Sequence, residues 1–279
     1  MGPSHATTVA PRGYTMADQR SYDERHAAAT ETFARFIPDV DTERVAGSFT
    51  RRMGALGSFA FDSVGDMWNR PKLSRRDRSL LVISTLSAQG RDEELVLHTQ
   101  IGRRHGLSRV EIEEIVLHIA GYAGFPAAMA ASRHIDNGLR QFDGVDRLSD
   151  RVPAEPKSDA HRDRDAAEVL STLTGGRSSG DPLIDLERFE EQLGGVGVVA
   201  YRWAFGEIWS RPELSRRDRS IIVISILTTL GAEQELKFHT RAGRNHGLSQ
   251  EEIEEIVTHL SLYAGIPRAV GAMRVVRAS

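Results

Sequence analysis

The stretch WNRPKLSRRDRSLLVIS, Trp68–Ser84, returns as WSRPELSRRDRSIIVIS at Trp209–Ser225. The offset of about 141 residues then holds without a gap through HTQIGRRHGLSRVEIEEIVLHIAGYAGFP and HTRAGRNHGLSQEEIEEIVTHLSLYAGIP. From Trp68 to Arg133 against Trp209 to Arg274, about 39 of 66 positions are identical. Two copies of one domain are the economical reading, and a period this long with so few copies excludes a solenoid of small units. Between them, residues 143–165 are charged, Pro-containing and aperiodic, and read as a linker. The expected organisation is residues 1–20 as a disordered segment or tag, 21–142 as the first domain, 143–165 as linker and 166–279 as the second domain.

Each copy reads as helical, so the expected fold class is all-α, a tandem of duplicated helical domains. Ser74 with Asp77, and Ser215 with Asp218, have the spacing of an N-cap and an N3 acid before an apolar run that stops at Gly90 or Gly231. A second helix is expected from about Asp92 to His105, ending at Gly106, with its counterpart ending at Gly247. The third opens on a capping box, Ser108 to Glu111 or Ser249 to Glu252, and the fourth begins near Pro126 or Pro267. Segments 21–36, 42–67 and 183–208 also carry helical patterning. Helix one is apolar nearly all round and needs more cover than one small domain offers.

The chain has 279 residues, 40% of them hydrophobic, and a formal net charge of −3. No basic footprint for nucleic acid and no membrane-length apolar run is present, so a soluble, cytoplasmic protein with a small-molecule partner is expected. With no cysteine, disulfides, thiolate metal sites and thiol nucleophiles are excluded together.

Chemistry-bearing residues recur at one spacing. In ELVLH and ELKFH, Glu94 and His98, and Glu235 and His239, stand four apart on the second helix, in the arc of Leu95, Leu97, Ile101 and Gly102 or of Leu236, Phe238, Ala242 and Gly243. On the wheel they fall within the apolar face, where an unpaired carboxylate costs several kcal/mol, roughly, unless satisfied or kept for chemistry. Glu114 with His118, and Glu255 with His259, share the spacing but project roughly opposite Ile112, Ile115, Val116 and Ile119, which reads as a solvated pair. His105 and His246 sit where a basic side chain favours a helix C-terminus. A metal site lacks a third ligand, the glycine pairs at 175 and 194 lack a phosphate-loop context, and Ser74 and Ser215 are accounted for as caps rather than nucleophiles. Arg78 and Arg219 read equally as holders of an acidic substrate or as surface or capping groups.

The blocks AFGEIWSRPELSRRDRS and ELKFHTRAGRNHGLSQEEIEEIVTHLSLYAGIP, with their first-copy equivalents, resemble the carboxymuconolactone decarboxylase family in a tandem two-domain form. The resemblance implies an all-helical fold, cofactor-free decarboxylation of lactone acids and rings of six domains, which here means a trimer, with a dimer as the alternative. Peroxidase chemistry of the sister alkylhydroperoxidase-like branch needs a Cys-x-x-Cys that this chain replaces with Arg91 and Glu94, or Ala232 and Glu235. Residue by residue, the resemblance implies Glu235, His239, Glu94 and His98 as catalytic groups, and Trp209, Arg219, Trp68 and Arg78 as pocket residues, with no metal and no cofactor. Where the family continues Pro-Ala-Ala-Asn, this chain has Pro126-Ala127-Ala128-Met129 and Pro267-Arg268-Ala269-Val270. Arg268 is a charge the first copy lacks, suited to an acidic substrate, and it makes the second pair the expected dominant one. A related isomerase, cyclase or dehydratase, or a non-catalytic ligand-binding scaffold, is the alternative.

Overall fold

The computed structural model describes residues 19–38, 41–144 and 154–279. All regular elements among them are helical. The chain divides into two compact units at Ser74/Arg75. The expected 143–165 linker is not where compactness divides it, and the 1–20 segment lies outside the described residues but for its last two.

In the N-terminal unit, α1 (Tyr22–Phe36), α2 (Thr42–Met53) and α3 (Ala55–Trp68) form a small cluster. Ser21 and Glu24 close a reciprocal capping box at α1. The expected single helical stretch 42–67 is broken at Gly54, whose φ of 58° favours glycine. Phe33 stacks on Phe61 at 4.8 Å and Phe36 meets Trp68 edge-on at 4.8 Å, which buries Trp68 within this unit.

The larger unit contains α4 (Arg75–Gln89), α5 (Asp92–Arg104), α6 (Arg109–Tyr122) and α7 (Phe125–Asp143) from the first copy. From the second come α8 (Asp159–Thr174), α9 (Pro182–Leu193), α10 (Gly195–Val199), a π-helical segment (Ala200–Trp209), α11 (Arg216–Leu230), α12 (Glu233–Asn245), α13 (Gln250–Leu260) and α14 (Ile266–Ala278). The punctuation follows the sequence: Ser215 Oγ accepts the Asp218 N–H, Ser108 and Ser249 make capping boxes with Glu111 and Glu252, and Gly231 closes α11 at φ 72°.

Helices α4 and α11 pack on each other and are buried along nearly their whole length. The packing is reciprocal. Helix α6 of the first copy lies on α11 of the second, and α13 of the second lies on α4 of the first. Each copy therefore covers the other's apolar helix one from within the chain.

Helix α8 starts inside the expected linker. Its run DAHRDRD reads as solvated, yet Asp163 is buried against the Arg202 guanidinium at 2.8 Å and Arg162 binds Glu207 at 2.8 Å. These charges dock α8 on the π-helical segment. Gly206 permits the approach, because a Cβ there would stand 2.4 Å from the Arg162 carbonyl oxygen.

Candidate active site

The third helix of each copy carries the first departure from the helical wheel. Glu114 and Glu255 are 3% and 2% exposed, and His118 and His259 are fully buried. The expected solvated pairs are thus the interior ones. Their face points away from their own copy's Ile112, Ile115 and Ile119 but onto the other copy's helix one, which a single-copy wheel omits.

Those acids are held by arginines from the opposite copy. Arg219 reaches the Glu114 Oε2 from both Nη atoms at 3.3 Å, and Arg211 Nε binds Oε1 at 2.8 Å. Arg78 Nη2 binds the Glu255 Oε1 at 2.9 Å, while its Nη1 donates to His259 Nδ1 at 2.8 Å. At the rim, Arg76 bridges Glu111 and Asp218, and Arg217 bridges Glu252 and Asp77. Burial raises the Glu114 carboxyl above its ordinary range against the pull of Arg211 and Arg219, and it lowers the Arg219 guanidinium. Arg78 and Arg219 are wholly enclosed, and each pairs with a glutamate of the opposite copy.

The second helix is corrected in the opposite sense. Glu94 and Glu235 are exposed, and among the described residues no hydrogen bond joins Glu235 to His239. They sit in the first turn of α5 and α12, where a carboxylate suits the helix dipole. The histidines are less exposed than these glutamates, His98 half-buried and His239 buried. His239 is 4% exposed, its ring stacks on Trp209 at 5.7 Å and 17°, and its Nε2 lies 3.3 Å from the Tyr122 hydroxyl. Trp209 Nε1 donates to that same hydroxyl at 2.8 Å.

Tyr122 belongs to the first copy, at the end of α6, and His239 and Trp209 to the second. The arrangement has its counterpart at the other copy, where Tyr263 meets His98 edge-on at 5.6 Å and stacks on His259 at 5.5 Å. Each histidine of the second helix is therefore faced by a tyrosine from the opposite copy. Neither tyrosine was singled out by spacing; the available signal was the Tyr-Ala-Gly block, present at the same offset in both copies.

Burial keeps these imidazoles neutral. His239 and His98 are each pushed down to about 3, first by desolvation and then by His246 or His105. His118 is pushed down to about 3 by burial, with Arg219 adding to the effect. The Tyr122 hydroxyl is shifted upward by burial, against its bond from Trp209. His246 ends α12 as a neutral imidazole, not the basic group expected: burial lowers it to about 4, and Ser220 Oγ lies 2.8 Å from Nδ1 and Thr172 Oγ1 3.1 Å from Nε2, tying α12 to α11 and α8.

The remaining expected pocket residues part company. Trp209 is in the His239 cluster, and Trp68 is buried in the N-terminal unit. Arg268 is turned to the end of α11, donating to the Leu230 carbonyl at 3.0 Å beside a cavity of about 110 Å³ lined by Thr228, Gly231, Glu233 and Leu236. His239 does not line that cavity. Among the described residues no three His, Asp or Glu side chains converge as a metal-ligand set, and no helix is long and apolar enough to cross a membrane.

The model of the carboxymuconolactone decarboxylase family matches residues 62–136 and 199–278. The 4-carboxymuconolactone decarboxylase of Acinetobacter baylyi is 37% identical over 116 residues, 42% of this chain and 84% of that protein. The nitrosuccinic acid decarboxylase of Metarhizium robertsii is 39% identical over 71 residues, 25% of this chain and 50% of that protein.

Proposed function

The chain belongs to the carboxymuconolactone decarboxylase family, and on that premise we propose that it is a cofactor-independent carboxy-lyase acting on a small lactone or cyclic carboxylic acid. The names of the two relatives support the reaction class, since both describe removal of a carboxyl group from a small acid. The observation that carries the reading is His239: a buried, neutral imidazole, set against an indole, whose Nδ1 has no partner among the described residues.

The chemistry asks little of the protein. When the carboxylate leaves as CO2, the electron pair of the broken C–C bond passes into the conjugated system and places charge on its oxygen. A neutral imidazole N–H aimed at that oxygen stabilises it, as an oriented donor in a water-poor site. A proton then adds to carbon, so the acid anion and one proton give the product and CO2. The buried indole of Trp209 supplies an apolar wall, and His98 holds the corresponding position in the first copy.

The test is a screen of small lactone and cyclic acids for CO2 release and ultraviolet change, with protein dialysed against a chelator. We expect CO2 release that the His98→Ala, His239→Ala double variant lacks. An ultraviolet change without CO2 would assign the site to isomerisation, cyclisation or dehydration. Binding of acids with no turnover of any would leave the ligand-binding scaffold.

A further inference from the structure

We infer that Tyr122 is a positioning residue supplied by the first copy to the second: its hydroxyl fixes His239 as the tautomer protonated on Nδ1, leaving that N–H to face the ligand. In the first copy the ring of Tyr263 meets the ring of His98 edge-on, as Tyr122 meets His239, so each histidine is faced by the other copy's tyrosine. This rests on the reading of His239 as the reacting group.

The argument is an inventory of donors and acceptors. An indole N–H only donates, so the 2.8 Å bond from Trp209 Nε1 is accepted by the Tyr122 oxygen. The hydroxyl hydrogen of Tyr122 then needs an acceptor of its own. Among the described residues the hydroxyl has one other neighbour within bonding distance, His239 Nε2 at 3.3 Å. With that hydrogen donated to His239, Nε2 is the nitrogen that carries the lone pair. A neutral imidazole with a bare Nε2 carries its proton on Nδ1, and that Nδ1 is buried with no partner among the described residues. A buried donor without a partner costs about 1–3 kcal/mol, a cost that binding sites retain and plain cores avoid. The chain Trp209 to Tyr122 to His239 thus runs in one direction and ends on a buried donor with no partner among the described residues.

Tyr122 sits on α6 and His239 on α12, residues 117 positions apart in the sequence. What brings them together is the crossing of α6 onto α11, and the reciprocal crossing of α13 onto α4 brings Tyr263 to His98. Neither copy alone contains a tyrosine-faced histidine of this kind.

Imidazole nitrogen NMR on the 15N-histidine-labelled full chain tests this without any substrate, with His239→Ala and His98→Ala assigning the resonances. The expected result is a bare Nε2 and a protonated Nδ1 on His239. In Tyr122→Phe that preference is lost at His239 and unchanged at His98. A His239 protonated on Nε2 in the wild-type chain would overturn the inference, whether or not Tyr122→Phe folds. So would an unchanged His239 in a folded Tyr122→Phe. Should an acid be turned over, Tyr122→Phe in a His98→Ala background is expected to lower kcat tenfold or more with KM within about twofold, the signature of a mis-set tautomer. Loss of the decarboxylase reading with the NMR result intact would leave the positioning role standing for another reaction.

Discussion

Glu114 takes three hydrogen bonds from two guanidinium groups, with Arg219 wholly enclosed. Removing the acid leaves those cations without their counter-charge in the interior. Glu114→Ala is expected to cost about 3–5 kcal/mol, read as a fall in the denaturation midpoint, far more than an exposed ion pair would. Glu235→Ala, on a solvated first turn, is expected to change stability by about half a kcal/mol or less. A second residue-scale expectation concerns pH. His98, His118 and His239 are held down to about 3 and His246 to about 4, against an ordinary value of 6.5. The unfolded chain therefore binds more protons than the folded one between those limits, so stability is full above about pH 6.5 and is lost as pH falls through the window. Unfolding near pH 5 should take up close to four protons from these groups, measurable by calorimetry in buffers of different ionisation enthalpy, and His118→Gln should remove one. The types and spacing of these residues were legible in the sequence. Which Glu-His pair lies inside was not, because burial of α6 depends on a helix more than a hundred residues away.

At the scale of elements, the signals that held are local ones. Ser215, the Ser108 and Ser249 capping boxes, and Pro126 and Pro267 in the first turns of α7 and α14 all act on backbone groups within a few residues. Helix α8 was missed for the converse reason: its charges gain partners, Arg202 and Glu207, that lie some forty residues on. The π-helical turn from Ala200 to Trp209 was equally unannounced, since the equivalent first-copy stretch is α-helical. The close crossing of α8 on this segment yields a third prediction. Gly206→Ala places a methyl against the Arg162 backbone and is expected to destabilise by about 1–3 kcal/mol. Hydrogen exchange should show the loss concentrated in residues 159–174, with the α4–α11 core last to exchange.

For the whole molecule, the duplication, the all-α class and the family were readable from two aligned blocks. Compactness divides the chain at Ser74/Arg75, because the motif helices of both copies share one interior. Assembly as a dimer or trimer remains our proposal, on a changed footing. Helix one is covered within the chain, so it no longer calls for a partner. The exposed apolar residues do. Phe125 and Met129 on α7 recur as Ile266 and Val270 on α14, at 75%, 58%, 63% and 43% exposure, and Leu97 recurs as Phe238. The same patch shown twice suits a contact between copies of the chain. Light scattering at micromolar concentration should give a dimer or trimer, and Phe125→Lys with Ile266→Lys should shift it toward monomer.

The central claim is that the chemistry resides at the inward histidine of the second helix, completed from the opposite copy, and not at its exposed glutamate. Turnover by chelator-dialysed protein of the best acid from the screen, compared between His239→Ala and Glu235→Gln in a His98→Ala background, tests it most directly. The account predicts that His239→Ala lowers kcat by about a hundredfold or more while Glu235→Gln stays within about threefold. Full turnover in His239→Ala, or loss in Glu235→Gln with fold and assembly unchanged, would contradict it.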